Sequence, residues 1–554
     1  MKIAKQDKEF IGNAYSLFDE FYTALTPFRK KCISNEEFWK SNHWYEVAKK
    51  EPDEPRPVTP VLFSTLESLL ADIMDNYPKA HIFSEEAKDE RVAQGLEKVI
   101  GNILKKRNYR STYREKVRQA LKKGVSVQEV FWDVALSGGI GDINIRSWDI
   151  KSFLFDPTCE NIQEGRAIFK FGFYHKNWFD KNFPGAFLKM KEDGYTKEGY
   201  SDMPRNHNDE YMVMEYWYKT YDDEEKDIVH MAKLAGGILL ERSEKTNPEG
   251  MYNHGMYPFI VEPLYKMEGL PIGFGMIDVF KNLQQYADKL DQIILKNTLM
   301  SGKLKMLINK NADVDEEAML DWSKEVVTAG RIDDGAVRWF QAAPLNPYVL
   351  AHMNGKLDAI KEESGQSQFV RGETNKGVTA ASAILALQNA GSKRSRMIID
   401  QMYDGFTSLI RMIVDLIKEN YTESRIFRMD SKEGTYDMPF SADLLKYQFD
   451  ENLKTPIIVD GQKKEKYMDF EITIEVEKNT PYQTLYLNEL AMNLLAAKII
   501  DQNEALLMMT FDGKDKIVNM IEKRKAAQIE QSNQSNPQMP VHISEVLKNN
   551  PLIK

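Results

Sequence analysis

A chain of 554 residues is several times longer than one ordinary domain, so it must build more than one core or one elongated, elaborated subunit. Hydrophobic residues at 42% and charged residues at 29% are globular values and exclude a disordered or fibrous chain. The net charge of −10 has the wrong sign for a protein that grips phosphates over its whole surface, so any contact with nucleic acid should be local or weak. Cys32 and Cys159 are too few for a disulfide framework and lack zinc spacing, which fits a reducing compartment. The first residues carry no secretory pattern and no run of about 18 apolar residues occurs, so a soluble protein made in the cytoplasm is expected, with no membrane partner.

In chain order, Phe10, Ala14, Leu17, Phe21 and Leu25 recur at helical steps, and Pro27 is expected to end that helix. A proline-rich stretch over 51–60 leads into a second apolar-periodic segment, 62–74, and a long charged helical stretch, 85–123. After Gly124 the period changes. Val125, Val127, Val130 and Trp132, then Ile140, Ile143 and Ile145 around Gly138-Gly139, predict a β-hairpin, with further strands over 153–157, 167–174 and 211–218.

Gly273-Phe-Gly275 breaks the chain, and Met276, Phe280, Leu283, Ala287, Leu290 and Ile294 then form a heptad-like helical stripe. A β-α-β insertion follows, with strands over 304–308 and 337–340 and a helix over 315–327, and then another helix carrying Leu350, Leu357 and Ile360. The polar stretch 366–377 reads as an exposed loop, and 378–420 as a very long helix with Gly391 and Gly405 as kink points. Strands over 456–459 and 470–476, a helical region over 485–525 and a Gln/Asn/Ser/Pro-rich tail complete the chain.

Catalytic patterns are missing from the sequence. Gly372-Glu-Thr-Asn-Lys-Gly377 lacks the Gly-Lys-Ser/Thr ending that cradles a nucleotide, and the eight histidines show no ligand spacing. Asp313, Asp315, Glu316 and Glu317 sit at a predicted helix start, where acids complement the helix dipole, so no metal site is assigned to them. No catalytic residue, metal or cofactor is expected. One basic run opposes the overall charge: Lys105, Lys106, Arg107, Arg110, Arg114, Lys116, Arg118, Lys122 and Lys123 stand against Glu115 alone. A nucleic-acid face is conceivable there, but a solvated helix or a face pairing with an acidic neighbouring subunit is the favoured reading.

The ordered series of these features resembles the portal (head-to-tail connector) proteins of tailed bacteriophages. The residues that carry the likeness are Lys123-Gly-Val-Ser-Val-Gln-Glu-Val-Phe-Trp-Asp133, the Gly-Gly hairpin, Asp149-Ile-Lys-Ser-Phe-Leu-Phe-Asp-Pro157, Tyr257-Pro-Phe-Ile and Gly273-Phe-Gly275 opening a helix, then module, second helix, polar loop and long helix. The resemblance implies an α+β portal fold: an N-terminal mixed α/β wing over 1–275, stem helices over 276–300 and 344–365, and a small α/β clip over 301–343. A tunnel loop over 366–377, a long wing helix over 378–420, wing strands over 421–480, a helical crown over 481–525 and a flexible tail over 526–554 would follow.

By the same resemblance, Met276, Phe280, Leu283, Ala287, Leu290, Ile294, Leu350, Leu357 and Ile360 would pack the stem. Gln366, Gln368, Arg371, Glu373, Thr374, Asn375 and Lys376 would face DNA in the tunnel, and Lys303, Lys305, Trp322, Arg331, Arg338 and Trp339 would form the clip interface. The implied partners are further copies of the chain in a ring, commonly a dodecamer, double-stranded genome DNA, the major capsid protein, the terminase large subunit and the head-to-tail adaptor. The implied location is one capsid vertex of the virion, after assembly in the host cytoplasm. Balanced charges on the first stem helix, Asp278, Lys281, Asp288, Lys289, Asp291 and Lys296, suit a helix that packs against copies of itself. The alternatives are another multimeric head or neck protein, or a nucleic-acid-processing enzyme.

Overall fold

The computed structural model describes residues 5–45, 55–84, 86, 89–190, 210–221, 226–302, 305–308, 315, 317, 337–340, 345–365, 393–431, 434–447, 458–459, 462–463, 470–478, 481–509, 517 and 520–521. Helices and strands are mixed along the chain, in two compact units, 1–477 and 478–554.

Helix α1 (Lys5–Trp39) runs straight through Pro27, where the sequence predicted its end. A proline inside a helix removes one backbone hydrogen bond and costs about 3 kcal/mol. Burial on both sides of it offsets that cost: Phe18, Phe21 and Leu25 precede Pro27 and Cys32 and Phe38 follow, and all are in the core. Helix α2 (Val61–Asp75) leads directly into strand β1 (Asn76–Ser84), which the sequence reading missed. The stretch expected as one helix is two, α3 (Glu90–Lys106) and α4 (Tyr109–Lys123). Asn108 breaks it by adopting the left-handed conformation, φ 50° and ψ 43°, which Asn tolerates better than most residues.

Strands β2 (Val125–Asp133) and β3 (Asp142–Trp148) form the predicted antiparallel hairpin. Next come β4 (Phe153–Phe155), β5 (Ala167–His175), the short helix α5 (Lys176–Asn182), β6 (Glu210–Tyr221), β7 (Asp227–Ala235), β8 (Ile238–Arg242) and the single turn α6 (Ser243–Thr246). Strands β4 to β8 make a five-stranded antiparallel meander in sequence order. Strand β9 (Phe259–Pro263) pairs with β2, giving a second sheet of order β3-β2-β9. The first half of α1 lies on the meander, with Phe18 edge-on to Phe169 and Phe171 at ring-centroid distances of 5.3 and 5.5 Å.

A two-stranded ladder, β10 (Tyr265–Lys266) and β11 (Gly273–Phe274), brings the chain to helix α7 (Met276–Gly302). Gly124 caps α4 at φ +81°, and a Cβ there would lie 2.5 Å from the Phe274 backbone; one on Gly275 would lie 2.7 Å from the Leu121 carbonyl oxygen. The glycines that read as chain breaks are therefore the contact at which α7 is launched from the α4–β2 corner. The Gly275 N–H donates to Asp278 Oδ2 at 2.9 Å, which closes the first turn of α7.

Beyond α7 come β12 (Lys305–Ile308) and β13 (Val337–Phe340), an antiparallel pair, then α8 (Pro347–Glu363), N-capped by Asn346, and α9 (Lys393–Asn420). The helix expected over 315–327 lies outside the described residues apart from Asp315 and Glu317, as do residues 378–392 of the expected long helix. A hairpin, β14 (Arg425–Ser431) and β15 (Gly434–Phe440), follows α9 inside 421–480, where the resemblance implied strands without giving their bounds. The turn α10 (Asp443–Lys446), the short pair β16 (Ile458–Val459) and β17 (Gln462–Lys463), and β18 (Phe470–Lys478), which pairs with β1, close the first unit. The second unit holds α11 (Pro481–Ala496) and α12 (Gln502–Met508).

Asp156, in the Phe-Asp-Pro corner after β4, is buried and accepts five hydrogen bonds, including Arg166 Nε at 2.6 Å and Thr158 Oγ1 at 2.7 Å. Burial alone would raise its pKa, but the hydrogen bonds from Arg166 and Thr158 hold the carboxyl well below the usual carboxylate range. A depressed pKa stabilises the fold above the ordinary carboxylate range and loses that contribution as pH falls through it. Asp156→Asn should therefore cost roughly 2–3 kcal/mol at pH 7, and the gap to wild type should shrink as pH falls below about 4. Urea melts of both proteins at pH 7 and pH 3 check this; an equal gap at both would remove the carboxylate from the account.

Candidate functional site

Helix α7 changes character along its length. Its first half is rooted in the body: Met276, Ile277, Phe280, Gln284, Ala287 and Asp288 are buried, and α1, α2 and α4 pack around it. The polar members of that root are matched one by one. Asp278 pairs with Lys31 at 3.0 Å and accepts from Asn35, Lys281 donates to Ser34 Oγ, and Gln284 Nε2 reaches both the Thr59 carbonyl and Asp288 Oδ1. Asp288 meets His43 Nδ1 at 2.5 Å, with Phe38 stacked on the imidazole at 3.9 Å. Asp278, Lys281 and Asp288, expected to balance charge between copies, thus make their contacts inside the subunit.

The stripe read from the sequence is divided in the same way. Met276, Phe280, Ala287 and Ile360 are buried within the subunit, Leu283, Leu290, Ile294 and Leu357 are half-buried, and Leu350 is exposed. A second apolar line, missed by sequence reading, remains uncovered: Val279, Tyr286, Ile293 and Met300 are 45, 58, 50 and 58% exposed. Spaced by seven, they run along one side of the helix, beside the inward stripe. Helix α8 packs against α7 and α2 while Tyr348 and Leu350, at its start, stay exposed. The signal was available in the sequence as a seven-residue repeat, but repetition alone does not say which of two neighbouring apolar lines faces inward.

The basic run resolves into two groups. Five cations pair with carboxylates of the same chain: Arg107 with Asp142 at 2.7 Å, Lys116 with Glu262 at 2.8 Å, Arg118 with Glu67 at 3.2 Å, Lys122 with Glu36 at 2.9 Å and Lys123 with Asp149 at 2.8 Å. Burial would raise the Glu36 carboxyl, but the hydrogen bond and charge of Lys122, with Lys123 and Lys151, hold it below its ordinary range. The acidic partners expected from a neighbouring subunit are thus supplied, for these five, from within. Lys105, Lys106, Arg110 and Arg114 are exposed, and none has a carboxylate partner among the described residues.

Lys116 is wholly buried. Its ammonium lies over the Tyr113 ring, 5.3 Å from the centroid, and also approaches the Met402 carbonyl at 3.4 Å, so the pair with Glu262 ties α4, β9 and α9 together. Burial pushes the Lys116 pKa down and the Glu262 pKa up. Gly405 on α9 makes room for the carboxylate: a Cβ there would fall 1.1 Å from Glu262 Oε1. Gly405 therefore serves close approach inside the continuous helix α9, where the sequence reading assigned it a kink.

Arrangements that resemble catalytic ones are enclosed. Ser243 Oγ stands 3.3 Å from His230 Nδ1, but both residues are buried and the hydroxyl already accepts the Met231 N–H at 2.8 Å. Among the described residues no group of three or more His, Cys, Asp or Glu side chains is placed to hold a metal ion. No described helix is long and apolar enough to cross a membrane.

Two portal family models match the sequence. The Phage P22-like portal protein family matches residues 15–259 and the Phage SU10 portal protein family residues 186–439; the two overlap over 186–259, which holds β6 to β8, and the second runs on through α7, α8 and α9. The chain belongs among the tailed-phage portal proteins. No curated protein matches it significantly. In this portal chain the residues expected to line the tunnel, Gln366, Gln368, Arg371, Glu373, Thr374, Asn375 and Lys376, lie outside the described residues, as do Lys303, Trp322 and Arg331 of the expected clip interface. Lys305, Arg338 and Trp339 fall on the β12–β13 ladder, where Lys305 pairs in register with Phe340, Met306 with Trp339 and Leu307 with Arg338.

Proposed function

We propose that this portal chain is the subunit of a closed ring at one capsid vertex, through which double-stranded genome DNA enters during packaging and leaves at ejection. The observation that carries the reading is the uncovered line Val279, Tyr286, Ile293 and Met300 on a helix whose other apolar face is already occupied. A rooted helix with a second apolar line suits side-by-side packing against copies of itself, and cyclic head-to-tail contacts close into rings. In this reading residues 1–275 form the wing, α7 and α8 the stem, 301–343 the clip, 366–377 the tunnel loop, 378–420 the long wing helix and 481–525 the crown.

The clip would dock the terminase large subunit during packaging and the head-to-tail adaptor afterwards, the wing would meet the major capsid protein, and twelve subunits would make the ring in the virion. The channel itself would be passive, with ATP hydrolysis left to the terminase. Portal families are structural proteins, and the −10 charge of the subunit suits a bore along which DNA slides, because each phosphate neutralised would add affinity. Negative-stain electron microscopy of the purified full-length protein tests the proposal. Closed rings with an axial hole about as wide as a duplex support it, and uniform monomers at high concentration overturn it.

A further inference from the structure

We infer that Lys105, Lys106, Arg110 and Arg114 form a second contact for duplex DNA, a phosphate-binding face on the body of the subunit. Four observations support it. The cations cluster at the α3–α4 corner: Lys105 and Lys106 end α3, while Arg110 and Arg114 occupy the first two turns of α4, one turn apart. All four are exposed without a carboxylate partner among the described residues, although the chain carries 84 acids against 74 lysines and arginines. Five neighbours in the same run did find carboxylates, so the lack of partners is specific to these four.

The third observation is electrostatic. The start of α4 has no acidic residue in its first turn, and Asn108 makes no side-chain capping bond there. Arg110 therefore stands at the positive end of a helix dipole, next to backbone N–H groups left without a capping side chain. An arginine at that position is disfavoured in the isolated subunit, whereas an anion on the corner would be held by the helix dipole, Arg110 and Arg114 together. Lys105 and Lys106, at the negative end of α3, gain from their own dipole and add two more charges to the same corner.

The fourth observation separates DNA from an acidic protein surface. Protein interfaces are centred on apolar and aromatic anchors with charges at the rim. None of the exposed large hydrophobic side chains among the described residues belongs to α3 or α4, and Tyr77, the ring beneath Arg110, is half-buried 5.5 Å from its guanidinium. A charged face whose two helices expose no large apolar side chain suits a uniform polyanion, contacted through its backbone. That the polyanion is duplex DNA rests on the channel reading given above.

Relaxed, covalently closed circular duplex cannot thread a closed ring, so it reports on this face alone, whereas linear duplex of the same sequence can also enter the bore. Binding of both to the assembled full-length protein is measured across a salt series, for wild type and for K105Q/K106Q/R110Q/R114Q. The expected result is that the circle binds wild type and that the substitutions weaken it at least tenfold. They should also reduce the slope of log affinity against log salt by about 3.6 or more, at about 0.9 per phosphate contact. Ring formation and melting temperature should be unchanged, since no carboxylate among the described residues is orphaned. An unchanged slope overturns the inference, as does displacement of the circle by polyglutamate at equal charge, which would make the partner an acidic polypeptide. Binding of the linear duplex alone sinks this face and leaves the channel standing; absence of rings sinks both.

Discussion

The double substitution Tyr286→Asp/Ile293→Asp is expected to give a folded protein that no longer forms rings. Both side chains are at least half exposed in the subunit, so the change costs the monomer little. At a contact between copies each aspartate would be an unpaired charge in an apolar seam, at several kcal/mol apiece, and a ring repeats that cost at every junction. Assembly should fall by more than about a hundredfold, read by light scattering after gel filtration and by electron microscopy, with the thermal melt unchanged. Leu283→Asp/Leu290→Asp makes the informative contrast. Leu283 packs against the core of the subunit and Leu290 is half-buried, so that pair should lower the melting temperature whether or not rings form. Intact rings from the Tyr286/Ile293 variant would move the assembly contact off α7.

Lys116→Met should be the most damaging single substitution in the body, at roughly 3–5 kcal/mol, because it leaves the Glu262 carboxylate buried without its counter-charge. Adding Glu262→Gln should recover a large part of that loss, since the amide keeps the shape and removes the charge. Urea unfolding of the two single variants and the double gives the coupling as a double-mutant cycle. A cost below about 1 kcal/mol for Lys116→Met would mean that water or another donor reaches Glu262, and the ion pair would lose its place in the argument.

What could be read ahead of the structure was whatever repeats locally. The β2–β3 hairpin announced itself through alternation about Gly138-Gly139, and α7 through its 4-3 spacing. The misses share a cause, since each was decided by residues distant in the chain. Pro27 failed to stop α1 because a sheet some 140 residues later supplies the burial that holds the helix together. Strand β1 went unseen because its partner, β18, lies near the far end of the unit. Asn108 split one charged stretch in two without any glycine or proline to mark it. The basic run looked uniform as a sequence, but its division into five cations paired and four without a carboxylate among the described residues depends on acids from α1, α2, β3, the turn after β3 and β9.

Gly405 also limits how α9 can move. It is a notch in the helix surface, and the Glu262 carboxylate is the key seated in it, held from the far side by Lys116. A helix sliding past a packed neighbour moves most easily by one turn, about 5.4 Å, which brings the residue four positions away into the same place. Here that step would put either Gln401 or Leu409 under the carboxylate, and Gln401 already donates to the Pro263 carbonyl at 2.9 Å while Leu409 is fully buried. Neither offers a cavity, so α9 has one axial position against β9. Any rearrangement that passes through this helix must tilt it about the notch as a pivot, carrying its two ends in opposite directions.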